Sequence, residues 1–398
     1  DWVTFILSIL LLICGVLAIY SASSTRIGNE FQTENYYLKQ ILWIVISLAL
    51  FFLLMKTPYA VIDFLITPLY IFSIILLIIV LFMPEIKGSQ RWIILGPVHF
   101  QPSELAKLAT VLLAAKLISK PHLSDWQIMY RSFIIFLLPV SLILFEPDIG
   151  TTLTLVVTLF VILAVSDLSI FYLILIISPI ISVITSFSII VFIIYLIILI
   201  YVLYKTNLNK VTIGFATVIN IFFFFITPII WNNLKEYQQN RILSFIDPMR
   251  DPFGAGYQMI QSRIAIGSGG FFGKGFLIGT QKNLNFLPEH HTDFIFSVIG
   301  EEFGFLGCTI LLLIYFLLVF RISRNIISLK RKEFRFAAMG ILAYITFQIF
   351  INVGMNIGIV PTTGIPLPFI SYGGSNLLIN ILGIGIILKY LTEISVFE

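Results

Sequence analysis

Acids are sparse in this chain, and several stand where an acid is costly. In the stretch 283–307, NLNFLPEHHTDFIFSVIGEEFGFLG, a polar run through Glu289, His290, His291 and Asp293 leads directly into an apolar run long enough to span a membrane. Asp293 stands at the lip of that run. Glu301 and Glu302 read as lying two to three turns inside it, Glu301 about 12 Å further along a helix. Ionisable side chains in spanning segments are expensive and point to function. A carboxylate at a membrane lip suits removal of a proton from a hydroxyl at the membrane surface. Its plainer reading is a helix cap.

The same stretch bears on metals. The spacing of Glu289, His290, His291 and Asp293 matches no zinc signature. Carboxylates combined with phosphate oxygens suit a loosely bound divalent cation, Mg or Mn, with Asp293 as the candidate protein ligand.

Three further constellations carry charge. Arg91 and the run Phe100–Lys107 include Glu104 and Lys107, three residues apart on one helix face. Glu104 falls in a first turn, where the helix dipole favours an acid. A local ion pair explains that much, but Lys107 already lies inside a span, and a cation there is normally paired for a purpose. Glu146-Pro147-Asp148 sets two acids around a proline between spans, with Asp148 also readable as a cap. Arg241, Asp247, Arg250, Asp251, Arg263 and Lys274 are each ordinary loop charges, but as a set they suit an anionic head group. G-x-S-x-G, Walker and cysteine-cluster motifs are absent from the sequence, and Cys14 and Cys308 read as buried thiols in apolar runs.

The elements that must position these residues are membrane spans. Only 11% of the residues are charged and 59% are hydrophobic, against about 25% charged in soluble domains. With a mean hydropathy of +1.04 the chain reads as an all-α polytopic membrane protein and a single transmembrane domain, 1–398. No basic tract suggests nucleic acid. At about 20 apolar residues per crossing, the spans are 3–22, 38–55, 60–83, 103–119, 131–146, 150–166, 168–186, 188–204, 211–230, 293–320, 335–357 and 375–392. Val3–Tyr20 reads as the first span, not as a signal-peptide core. The continuous apolar run 168–204 is too long for one crossing and folds best as a hairpin near Ser182–Ser188.

Twelve crossings put every short basic loop on one side. These are 321–335, with Arg321, Arg324, Lys330, Arg331, Lys332 and Arg335, the loop flanked by Lys116, Lys120 and Arg131, and that between Lys205 and Lys210. By the positive-inside rule that side is cytoplasmic and holds both termini. The large loop 231–292 then lies outside, with an amphipathic interfacial helix at 254–266, its apolar face Tyr257, Ile260 and Ile264, and a flexible glycine turn at 267–275. The stretch 352–376, NVGMNIGIVPTTGIPLPFISYGGSN, breaks helix order on the same side. Its Asn352, Asn356, Thr362, Ser371 and Ser375 suit a cavity wall.

Five segments together resemble the SEDS family of shape, elongation, division and sporulation proteins: FQPSELAKL at 100–108, EPDIGT at 146–151, DPFGAGYQMIQSRIAIGSGGFFGKG at 251–275, NFLPEHHTDFIFSVIGEEFGFLG at 285–307 and GIPLPFISYGGSN at 364–376. The 260–281 portion is similar to the RodA branch more than to the FtsW branch. The resemblance implies a peptidoglycan glycosyltransferase that polymerises lipid II on the outer face of a bacterial cytoplasmic membrane. It also implies a class B penicillin-binding protein as transpeptidase partner, among other membrane proteins of an elongation complex. By position in the matching motifs, Asp293 is the essential acid, and Glu104 and Lys107 are the charged pair of a central cavity. Arg91, Asp148, Glu289 and His291 fall in matching motifs, and Arg263 and Lys274 are cations available to the lipid pyrophosphate. The chain departs from the family at His290, where Arg is usual. It also departs at 168–230, where a ten-span family has one crossing.

Two other classes share these features, a lipid flippase or transporter and a non-catalytic scaffold. Depth separates the first, because transporters keep their charges near the midplane whereas Asp293, Glu104, Asp148 and Arg91 read as lying at the outer ends of spans. Sensitivity to single acid substitutions separates the second.

Overall fold

The computed structural model describes residues 1–27, 30–33, 35–85, 90–96, 98–205, 210–234, 239–240, 243–245, 247–250, 256–280 and 291–395. Glu289, His290, Arg241 and Asp251 lie outside the described residues. Among the described residues the fold is helical: α1 (Trp2–Ala22), α2 (Tyr36–Lys56), α3 (Tyr59–Val80), α4 (Pro102–Ile118), α5 (Asp125–Phe145), α6 (Ile149–Val165), α7 (Ile170–Thr185), α8 (Ile189–Lys205), α9 (Lys210–Asn233), α10 (Tyr257–Ser268), α11 (Ile295–Ile327), α12 (Lys332–Ile357) and α13 (Gly374–Ser395). Apart from α10, each helix coincides with one predicted span. Eight are long and apolar enough to cross a membrane, and α6, α7 and α8 are shorter apolar helices. The remaining one, α4, carries the buried charges. Two antiparallel ribbons close the links at one end, β1 (Ser24–Ile27) with β2 (Glu30–Thr33) and β3 (Ile93–Leu95) with β4 (Val98–Phe100).

The bundle is built around α4 and α12. Helix α4 packs against α3, α5, α6, α12 and α13, while α12 adds α11 and α10. Helix association in lipid relies on close packing because lipid tails are as apolar as leucine. Gly340 meets that need where α4, α6 and α12 cross: a Cβ there would lie 2.7 Å from Val111 Cγ1 and 2.8 Å from Ile162 Cδ1.

The apolar run 168–204 divides at Ser186-Phe187-Ser188, where the Ser188 N–H returns to the Thr185 carbonyl at 3.1 Å. Helices α7, α8 and α9 then form a three-helix unit beside the main bundle. Asn220 is its buried centre. Its amide nitrogen donates to Ser178 Oγ (2.8 Å) and the Ala216 carbonyl (2.8 Å), and its oxygen accepts from Ser182 Oγ (2.5 Å) and the Tyr195 hydroxyl (2.9 Å). In lipid, a helix that carries such groups must satisfy them across an interface.

Ion pairs mark one end of the bundle as the basic end. Lys116 pairs with Asp63 at 2.8 Å, Arg321 with Asp1 at 3.0 Å, and Lys332 with Asp167. The Tyr59 hydroxyl donates to Glu333 at 3.0 Å. The candidate site lies at and beneath the opposite end.

Candidate functional site

The organising element is one face of α12. Tyr344, Gln348, Asn352 and Asn356 follow one another at intervals of four, which stacks them on a single face. All are buried. Asn352 donates through Nδ2 to the Asp293 carbonyl (2.9 Å) and to the Ile365 carbonyl (2.8 Å). Asn356 donates through Nδ2 to the same Asp293 carbonyl (3.0 Å), and its Oδ1 accepts the Ser297 N–H (3.2 Å). Phe294 holds the N-cap position of α11, so the cap reading of Asp293 does not apply.

The turn 291–294 is held from the other side as well. The His291 ring stacks on Tyr36 with centroids 4.2 Å apart, and the His291 carbonyl accepts the Tyr372 N–H at 3.0 Å. Ser371 Oγ donates to the Thr292 carbonyl at 2.6 Å. Asp293 itself is partly exposed. Its Oδ2 would lie 3.4 Å from a Cβ on Gly364, whose φ is +74°. The 352–376 stretch therefore packs around the turn, and its Asn352 and Asn356 hold backbone.

Deeper on the same α12 face lies the charged pair. Lys107 Nζ is 2.8 Å from Glu104 Oε2, and both side chains are almost fully buried. Asn376 Nδ2 donates to the same carboxylate at 3.0 Å, and Asn380 Nδ2 donates to Asn376 Oδ1 at 2.8 Å and Gln348 Oε1 at 3.5 Å. Lys107 Nζ also stands 5.6 Å from the Tyr344 ring centre. Desolvating an ion pair is tolerable only with such added partners. The α12 stripe joins the two clusters over about 18 Å, at 1.5 Å per residue. Gln348, Tyr344, Tyr36 and Tyr372 were missed by sequence reasoning. The first two carry a readable signal, polar residues every fourth position through an apolar helix.

Arg91, Glu146 and Asp148 form a separate group at the same end. Asp148 caps α6: its carboxylate accepts from the Thr151 N–H (3.1 Å), Thr151 Oγ1 (2.8 Å) and Gln101 Nε2 (3.1 Å). The Arg91 guanidinium stands 4.0 Å from Asp148, donates through Nε to the Glu146 carbonyl at 3.1 Å and through a terminal nitrogen to the Pro147 carbonyl. The Glu146 side chain is fully buried, and neither oxygen has a hydrogen-bond partner. Burial first, and then the Asp148 charge, push its carboxyl up to about 9, with Arg91 pulling the other way. At neutral pH it keeps its proton.

One expectation for the large loop is corrected. Helix α11 is broken at Gly304, with φ 64° and ψ −161°. The turn 269–275 enters the break. The Lys274 and Gly275 N–H groups donate to the Glu301 and Glu302 carbonyls (3.0 and 2.9 Å), and the Phe305 and Leu306 N–H groups donate to the Gly270 and Phe271 carbonyls (2.9 and 3.1 Å). The glycine turn is therefore a docked strap, not a flexible loop, because it satisfies the backbone groups that the break frees. Glu301 and Glu302 lie within the first turns of α11, ahead of the break at Gly304. Ser21, in the last turn of α1, donates to Glu302 at 2.7 Å. Helix α10 packs on the protein through Met259, Ser262 and Ala265, while Ile264 is exposed. Small residues let α10 sit close to α11 and α12, and Ser262 Oγ donates to the Asn356 carbonyl at 2.8 Å.

The two loop cations are engaged by these elements. Arg263 donates to the Gly358 carbonyl at 2.8 Å, at the C-terminal end of α12 where the helix dipole favours a cation. Lys274 Nζ pairs with Glu301 at 2.7 Å and donates to Thr280 Oγ1 at 2.8 Å. Neither joins the Asp293 turn through these contacts. Among the described residues no three His, Cys, Asp or Glu side chains converge.

Comparison with known proteins agrees across the whole length. The model of the cell cycle protein family named for FtsW, RodA and SpoVE matches residues 1–195 and 186–395. The peptidoglycan glycosyltransferase MrdB of Escherichia coli K12 is 36% identical over 390 residues, covering 96% of this chain and 91% of its own. The probable peptidoglycan glycosyltransferase FtsW of Geobacter sp. strain M18 is 33% identical over 401 residues, covering 99% and 97%. A solved chain from a peptidoglycan synthase complex, described for its structural coordination of polymerization and crosslinking, superposes with a TM-score of 0.73 at 29% identity, covering 99% of this chain and 98% of its own. The crystal structure of the rod shape determining protein RodA of Thermus thermophilus gives 0.65 at 26% identity, covering 99% and 97%. With its multi-pass helical fold and matching motifs, the chain belongs to the SEDS family, the cell cycle proteins of the FtsW, RodA and SpoVE type, and to its RodA branch.

Proposed function

We propose that this chain is a peptidoglycan glycosyltransferase that polymerises lipid II into glycan strands on the outer face of a bacterial cytoplasmic membrane, for elongation and rod shape. The observation that carries the reading is the held turn: Asp293, at the non-basic end of the bundle, is fixed by its own backbone while its carboxylate borders Gly364. The names of the relatives and the synthase complex support the reaction and a crosslinking partner, here a class B penicillin-binding protein. The basic loops support a cytoplasmic assignment for the end that holds Asp1 and Arg321. Asp293 then faces outward.

In this mechanism the Asp293 carboxylate takes the proton from the acceptor's 4-hydroxyl. The oxygen attacks the donor's anomeric carbon, the bond to the lipid pyrophosphate breaks, and the centre inverts from alpha to beta. Arg91, whose side chain keeps 28% of its surface exposed, is a cation at this end with surface to offer an anion. A divalent cation, Mg or Mn, held with Asp293 as its protein ligand, supplies further charge compensation when bound. The Glu104–Lys107 pair polarises the core below the turn.

Purified chain, lipid II and Mg²⁺ or Mn²⁺, with and without the partner, test this. Asp293→Asn lowers glycan synthesis at least about 100-fold, the scale of a lost general base. Polymerisation by Asp293→Ala at the parent rate removes Asp293 as the base. A parent that makes no glycan with its partner, yet moves lipid II across vesicle membranes, replaces the enzyme with a flippase, the reading that the buried Glu104–Lys107 pair would favour.

A further inference from the structure

Two buried side chains of α12 converge on one atom, the Asp293 carbonyl oxygen. A carbonyl at a helix entrance normally finds backbone or water. Here both partners are neutral amides on a helix nine-tenths buried at these positions. Each amide is also tied to a second element. Asn352 reaches the Ile365 carbonyl at 2.8 Å, next to Gly364, whose backbone borders the Asp293 carboxylate. Asn356 takes the Ser297 N–H of α11 at 3.2 Å and meets Ser262 Oγ of α10 at 3.3 Å. The Asn356 amide nitrogen also donates to the Asn352 carbonyl at 2.8 Å, which keeps the two side chains in register. The grip is on the backbone, and it sets the origin from which the Asp293 side chain extends.

We infer that Asn352 and Asn356 are positioning residues that set the reach of the Asp293 carboxylate toward the acceptor hydroxyl. The inference rests on the reading of Asp293 as the base. Their substitution leaves lipid II binding in place and lowers the rate of the chemical step, because a displacement near 1 Å at a reacting group costs about 100-fold. Asparagine to aspartate is the probe, since it keeps shape and volume and replaces the donating amide by an oxygen that repels the carbonyl.

The experiment uses the full chain with its transpeptidase partner and lipid II. It measures kcat, KM and the thermal midpoint for Asn352→Asp and Asn356→Asp, with Asp293→Asn alongside. The expected result is a fall in kcat of about 10- to 100-fold, with KM within about threefold and the midpoint near the parent's. Full kcat in folded variants overturns the inference, and so does a loss carried by KM. Unfolding of both variants assigns the asparagines to the scaffold and also overturns it. Asn352 decides if only Asn356→Asp unfolds, because Asn356 also serves Ser262 and Ser297. A parent-like Asp293→Asn rate defeats the base assignment instead, and the two failures are thereby distinct.

Discussion

At the scale of single residues, the acids of this chain divide by what surrounds them. Asp148 is consumed as a helix cap, Glu104 by Lys107 and Asn376, and Glu301 by Lys274 and Thr280. Glu146 is buried without a hydrogen bond to either oxygen, so its proton does the work that a partner would do. In the fold it keeps that proton up to about 9, whereas on unfolding it releases it near the ordinary value of 4.5. Between these limits the unfolded chain binds fewer protons. The group's contribution to stability is therefore complete below about pH 4.5 and is lost as pH rises toward about 9. Glu146→Gln cannot ionise. The parent's thermal midpoint in detergent is expected to fall relative to Glu146→Gln between pH 5 and pH 8.5, and parallel midpoints would show that Glu146 is already charged in the fold.

At the scale of elements, the break in α11 and the strap that fills it are one unit. A Cβ on Gly304 would stand 2.3 Å from the Gly273 nitrogen, and a Cβ on Gly273 2.1 Å from the Glu302 carbonyl oxygen. Both residues have positive φ, 64° and 81°. Gly304→Ala or Gly273→Ala therefore expels the strap, at a cost of about 1–3 kcal/mol for overpacking, and separates Lys274 from Glu301. Amide exchange at Lys274, Gly275, Phe305 and Leu306 speeds up in either variant. Gly267→Ala is the control, since a Cβ there meets open space. Unchanged exchange in the Gly304 variant would mean that the strap is held by contacts other than these four hydrogen bonds.

At the scale of the whole molecule, two bodies of unequal role share the membrane. The main bundle carries the Asp293 turn and the Glu104–Lys107 cluster along α12, while α7–α9 stands to one side, joined to it through α6 and α7. The two stretches matched by the family model overlap at 186–195, at the α7–α8 turn. Asn220→Leu leaves Ser178, Ser182 and Tyr195 without their shared partner. At about 0.6 kcal/mol per interhelical hydrogen bond in a membrane, it loosens α7–α9 by roughly 1–2 kcal/mol. Hydrogen exchange in α7–α9 is expected to rise while glycan synthesis stays at the parent rate. A large loss of synthesis would tie the three-helix unit to the site.

The spans, their number and the sharing of one end by the basic loops were legible because each depends on local composition. A run such as 168–204 is too long for one crossing whatever surrounds it. The chemistry-bearing types were legible too, since Asp293, Glu104 and Lys107 are costly in or beside apolar segments. Which of them share a face was not, because that depends on helix rotation and on contacts hundreds of residues apart, such as Glu104 with Asn376 and Ser21 with Glu302. The polar repeat Tyr344, Gln348, Asn352, Asn356 was visible as spacing, but its target, a single carbonyl at Asp293, was not. The glycines of 267–275 looked like freedom, and only the tertiary structure made them a fit. A helix broken at Gly304 exposes donors and acceptors that lipid cannot satisfy, and the strap is the backbone that satisfies them.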